Sequence, residues 1–186
     1  RLDLGNARYF NGLLEEISLN TSAKVVLRDL VENKNVAELE KFLTQVALAD
    51  PFRKVLLELP FLYGDFAKTL AKAKDLALNQ EMNAAVEELY RIYHLLEAYG
   101  VAAYVYADMG FVNDLDYYSG MIFKAYLGNI GSAAASGGRY DGLVEKFGRN
   151  LPATGFGLNV DAIYEAVLKE ELLETVDTVA DVGIYC

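Results

Sequence analysis

The chain has 186 residues, of which 53% are apolar, enough for one compact domain with a sizeable core and too many for a disordered segment. Its 27 acidic and 17 basic side chains leave a formal net charge of -10, with no Lys/Arg-rich run, which argues against a nucleic-acid-binding face. The single cysteine, Cys186, and the single histidine, His94, exclude an internal disulfide and most zinc or acid-base constellations, and no apolar run is long enough for a membrane span or a signal peptide, so a cytoplasmic protein is expected.

Leu2-Asp3-Leu4-Gly5 reads as mid-strand, and residues 181–186 read as another alternating strand. Both ends look cut, so the chain is expected to be the middle of a longer protein. From about residue 6 to residue 100 the pattern is helical. Asn35 with Glu38 resembles a capping box ahead of Val36, Leu39, Leu43 and Val46 on one face. Asp50-Pro51 opens a short helix that Pro60 stops, and another helix starts near Asp65. The longest runs from about Gln80 to Tyr99, with a stripe of Val86, Leu89, Tyr93 and Leu96 and Gly100 as its cap. His94 lies beside that stripe without clustered partners, and is read as a surface or packed residue.

After Gly100 the period changes to that of strands. Val101 to Ala107, Gly120 to Leu127, residues 132–138 and Thr154 to Leu158 are the expected strands, with turn chemistry at Gly128-Asn129-Ile130-Gly131. A short helix is expected from Arg139 to Phe147 and a longer one from about Val160 to Glu170. Antiparallel strands with helices segregated to one side make an α+β domain.

Two segments concentrate tyrosines, carboxylates and glycines at strand-turn junctions: residues 113–120, Asn-Asp-Leu-Asp-Tyr-Tyr-Ser-Gly, and residues 136–142, Ser-Gly-Gly-Arg-Tyr-Asp-Gly. Glycines there let a ligand approach the backbone, and a tyrosine offers a ring with a hydroxyl, which suits a small, partly aromatic, hydrogen-bonding ligand. Singly, each has a plainer explanation. Paired tyrosines on a strand usually divide between core and surface, and a double glycine usually marks a bulge or turn.

The order of the motifs goes further. Leu115-Asp116-Tyr117-Tyr118-Ser119-Gly120, then Gly138-Arg139-Tyr140-Asp141-Gly142-Leu143, then Gly155-Phe156-Gly157-Leu158 resemble the two histidine-specific motifs and motif 3 of histidyl-tRNA synthetase. The resemblance implies a class II aminoacyl-tRNA-synthetase-like antiparallel sheet with a helical insertion. It implies a division into residues 1–19 and 101–175 of the core, an insertion at 20–100, and the start of a further domain at 176–186. It also implies that Tyr118 hydrogen-bonds the imidazole of a bound histidine, that Tyr140 forms another wall, and that Gly137 and Gly138 bring backbone close to the ligand. Leu115 and Tyr117 would support the motif from beneath, while Asp116 and Arg139 pair with each other or are satisfied separately.

The departures matter as much as the matches. In the synthetases an Arg-Gly pair precedes Leu-Asp-Tyr-Tyr, and here those positions are Asn113 and Asp114; motif 3 ends there in an arginine, where this chain has Ala162. Losing a preorganised cation at a developing anion typically costs several kcal/mol, on the order of a hundredfold to a thousandfold in rate. The pattern is similar to the regulatory-subunit family of ATP phosphoribosyltransferase, paralogues of the synthetase. That resemblance implies no catalytic residue, no aminoacylation and no cofactor. It implies assembly with the short catalytic subunit, self-dimerisation of the full-length protein, no nucleic-acid or membrane partner, and histidine as feedback ligand. A catalytic fragment of a histidyl-tRNA synthetase is the alternative.

Overall fold

The structure is a computed structural model and describes residues 1–112, 117–128, 130–146, 148–149 and 151–169. Strand β1 (Leu2–Asn6) leads straight into α1 (Ala7–Glu15), because the Asn6 side chain accepts a hydrogen bond from the Arg8 N–H and caps the helix. Helices α2 (Thr21–Glu32), α3 (Val36–Gln45) and α4 (Asp50–Glu58) follow. Asn20 and Asn35 cap α2 and α3 through their side-chain oxygens, and Leu39 and Leu43 are the buried face of α3. Asp50 lies inside α4, one place later than its expected capping position, and Ala49 takes the cap without a side-chain bond.

The stretch to residue 100 is not helical throughout. After a single 3-10 turn at Leu59–Phe61, which holds Pro60, the three residues of β2 (Tyr63–Asp65) join the sheet. Asp65 then caps α5 (Phe66–Leu76), and Asn79 caps α6 (Gln80–Ala98). At the end of α6 the backbone N–H of Gly100 donates to Glu97 and that of Val101 to Leu96, with Gly100 at φ +74, a left-handed turn that favours glycine. His94 is exposed, and its polar partner among the described residues is Glu97, at 2.8 Å from Nδ1.

Strand β3 (Val105–Asp108) starts later than its sequence suggests, since residues 102–104 form a 3-10 turn. β4 (Met121–Ala125), β5 (Ala135–Arg139), the short α7 (Asp141–Glu145), β6 (Thr154–Leu158) and α8 (Val160–Lys169) complete the described chain. The sheet order is β2-β3-β1-β4-β5-β6. All neighbours are antiparallel except β1 and β3, which run parallel, so the sheet is mixed rather than wholly antiparallel.

One buried cluster joins the helices to the sheet: Leu4 and Val105 from strands, Tyr9, Phe10 and Leu13 from α1, and Leu27, Leu39, Leu56, Leu70 and Leu89 from the later helices belong to it. Asn6, fully buried, donates to Glu88 of α6 at 2.8 Å and fixes that helix over one face of the sheet. The opposite face carries Gly138 and Gly155 beneath the Tyr118 and Tyr140 rings. Among the described residues no helix is long and apolar enough to cross a membrane.

Candidate functional site

Strand alternation sets the geometry. In-register residues of antiparallel neighbours share a face, so Ile122, Gly138 and Gly155 lie in one row across β4, β5 and β6, while Phe123, Gly137 and Phe156 lie in the row on the other side. The glycine row is a floor. A Cβ on Gly138 would meet the Tyr118 ring at 2.9 Å and the Met121 carbonyl closer still, and a Cβ on Gly155 would strike the Tyr140 hydroxyl. Both tyrosines therefore lie over the same face, against backbone that only glycine leaves open. Gly137 meets Phe156 and the Gly155 carbonyl in the same close way from the other row.

The third tyrosine connects the two. Tyr117 meets Tyr118 edge-on with centroids 4.8 Å apart and stacks on Tyr140 at 5.2 Å. It is 37% exposed and belongs to the ring cluster itself, not only to its support. Burial, then the neighbouring Tyr117 and Tyr140, push the Tyr118 hydroxyl above its ordinary pKa, so it is protonated and able to donate at neutral pH. Leu115 and Asp116, together with Asn113 and Asp114, lie outside the described residues.

A polar clamp holds these rings. Tyr118 is followed by Ser119, whose N–H donates to the Arg139 carbonyl at 2.8 Å and whose hydroxyl accepts from the Asp141 N–H at 2.9 Å. The N–H of Tyr140 donates to the Ala153 carbonyl, and the Ala153 N–H returns a bond to Asp141 Oδ1, both at 2.8 Å. Arg139 Nε donates to Asp141 Oδ2 at 2.7 Å, so its carboxylate partner among the described residues is Asp141. The Arg139 bond, then the Ala153 N–H, hold the Asp141 carboxyl below its usual range. Ser119, Asp141 and Gly155 were not singled out as site residues from sequence, although each stands next to, or opposite, one that was. The available signal was alternation: residues adjacent to each tyrosine point to the other side and can tie the segments together.

At the end of motif 3, Ala162 is buried with Ile130 and Ala166, and its N–H donates to the Asn159 side chain at 3.1 Å. No positive charge stands at that position. The arrangement presents tyrosine rings and hydroxyls seated on a glycine floor, groups suited to an aromatic or hydrogen-bonding partner, and the described residues bring no cation to Ala162.

The sequence of residues 1–163 matches the family model described as histidyl-tRNA synthetase. The chain is 37% identical over 176 residues to an ATP phosphoribosyltransferase regulatory subunit of Clostridium novyi (strain NT), covering 93% of this chain and 41% of the relative. Thus it spans about two-fifths of the length of the curated relatives it matches. Among solved structures it resembles an ATP phosphoribosyltransferase regulatory subunit/histidyl-tRNA synthetase from Bacillus halodurans C, with a TM-score of 0.80 and 31% identity over 89% of this chain and 44% of that one. The histidyl-tRNA synthetase of Nostoc sp. PCC 7120 shares the fold, with a TM-score of 0.74 at 20% identity over 93% of this chain and 43% of that one. With the motif order, the mixed sheet and these likenesses in agreement, the chain belongs to the histidyl-tRNA synthetase family, in its class II synthetase-like fold.

Proposed function

We propose that this chain is part of a regulatory subunit of ATP phosphoribosyltransferase, required for the activity of a short catalytic subunit, which binds histidine between Tyr118 and Tyr140 and conveys its presence to that subunit without aminoacylation. The observation that carries this reading is the likeness to curated regulatory subunits over nearly the whole chain. The geometry supports it. Tyr118 offers a protonated hydroxyl to an imidazole nitrogen, Gly138 and Gly155 let the Tyr118 and Tyr140 rings seat against the sheet, and the buried Ala162 supplies no charge for a nucleotide phosphate. A pocket that keeps an amino acid and drops the nucleotide acts as a sensor, and linkage makes the ligand and the partner bias each other reciprocally. Leu115 and Tyr117 belong to the same proposed histidine site, with Asp116 and Arg139 in support, and Gly137, whose row faces the other side of the sheet, contributes through its backbone alone. Residues 20–100 form the insertion within that core on this reading.

The test uses the full-length protein and its catalytic partner. Histidine should bind in calorimetric titration, and histidine-dependent pyrophosphate exchange should be absent. Tyr118→Phe should remove one hydrogen bond to the ligand, about 1–3 kcal/mol, and weaken histidine binding roughly tenfold to a hundredfold. The histidine concentration that inhibits the assembled enzyme should rise by the same factor. Measurable exchange would instead favour a synthetase, and inhibition unchanged by Tyr118→Phe would place the feedback histidine elsewhere.

A further inference from the structure

The side of β5 turned away from the tyrosines holds a second recess. Arg8 of α1, Glu88 and Arg91 of α6, and Ser119, Arg139 and Asp141 line a cavity of about 340 Å³. Its acceptors are largely spent. Glu88 Oε2 takes the Asn6 amide at 2.8 Å, Asp141 Oδ2 takes Arg139 Nε at 2.7 Å, and Asp141 Oδ1 takes the Ala153 N–H at 2.8 Å. Its donors are not. Arg8 Nε and Nη2 serve Glu81, but Nη1 stands 3.9 Å from Glu88, too far for a hydrogen bond. Arg139 commits only Nε, and Arg91 makes no hydrogen bond or ion pair with another described residue.

Three guanidiniums from three elements thus meet the carboxylates of Glu88 and Asp141 around one recess, which keeps an excess of positive charge in a chain whose net charge is -10. Each presents planar N–H groups suited to a two-oxygen partner, and the N–H groups that Glu81 and Asp141 leave unused can take one. We propose that this cavity is a binding site for a small oxyanion, a phosphate or carboxylate group gripped by Arg8, Arg91 and Arg139. The site is separate from the proposed histidine pocket, because Gly138 and Arg139 face opposite sides of β5.

Calorimetric titration of the full-length protein with inorganic phosphate and, separately, with acetate tests this at ionic strength held constant with chloride. The expected result is saturable binding of one or both at millimolar affinity, undiminished in Tyr118→Phe. The stronger of the two identifies the preferred group. Arg91→Ala should weaken binding about tenfold or more, and Arg91→Lys should retain part of it, since a point charge replaces the fork. Arg91 is exposed on α6, so both variants keep the parental melting temperature without anion. Absence of binding by both anions up to about 50 mM, or equal affinity in Arg91→Ala, overturns the proposal.

Discussion

Gly138 and Gly155 face each other across β5 and β6 under two tyrosine rings, and the smallest added side chain has nowhere to go. Gly138→Ala is expected to destabilise the protein by about 1–3 kcal/mol through overpacking, and to displace the Tyr118 ring. Gly157→Ala is the control, since a Cβ there meets nothing within 4 Å. Denaturant titration of both variants checks the difference, and equal stability would remove the floor from the argument. Asp141 carries a pH signature at the same scale. Its carboxyl is held down by Arg139 in the folded protein, so the native state binds fewer protons than the unfolded one in acid. The stabilisation is present above the unfolded value of about 3.9 and is lost as pH falls through the lower folded value. Asp141→Asn should therefore flatten the fall in melting temperature below about pH 4 relative to the parent protein. A parallel fall in both proteins would count against the clamp.

Elements were legible where the signal is local. Asn35 and Asp65 cap their helices through bonds to residues three places on, and Gly100 ends α6, as short-range chemistry dictates. β4 and β6 alternate over five residues each, long enough to show a period of two. β2 has three residues after a proline, too few for any period, and owes its existence to the Asp108, Ala107 and Tyr106 backbone beside it. The parallel pairing of β1 with β3 is equally hidden, because neither strand encodes its partner. In the site, Tyr118, Tyr140 and the glycine pair at 137 and 138 stood out by motif, while Ser119, Asp141 and Gly155 acquire a role only through neighbours brought in by the fold. Asn79 shows how a cap can do more than its sequence position suggests. Its Oδ1 accepts from the Met82 N–H at 2.9 Å while its Nδ2 donates to the Gly12 carbonyl at 2.8 Å, tying α6 to α1. Asn79→Ala should lose about 1–3 kcal/mol, more than Asn20→Ala, whose side chain is exposed and serves its own helix alone. Thermal unfolding of the two variants ranks them.

At the scale of the molecule, the continuous core makes a claim about cooperativity. Leu39 in α3 and Leu4 in β1 belong to one buried cluster. Leu39→Ala should cost about 2–5 kcal/mol, and amide exchange should accelerate in β1 as well as in α3. Faster exchange confined to the helices would show residues 20–100 to be an independent unit.

β1 lies at the centre of the sheet, between β3 and β4, yet it is the first element of the described chain. Its partners begin at Val105 and Met121, roughly a hundred residues later. Closing such a loop must precede the contacts that reward it, which slows folding relative to a chain of local contacts. During synthesis at about 5–20 residues per second, α1 to α6 emerge and can pair among themselves for several seconds before β3 and β4 follow. The strand at the centre of the described sheet therefore waits through the synthesis of α1 to α6 for both of its neighbours, β3 and β4.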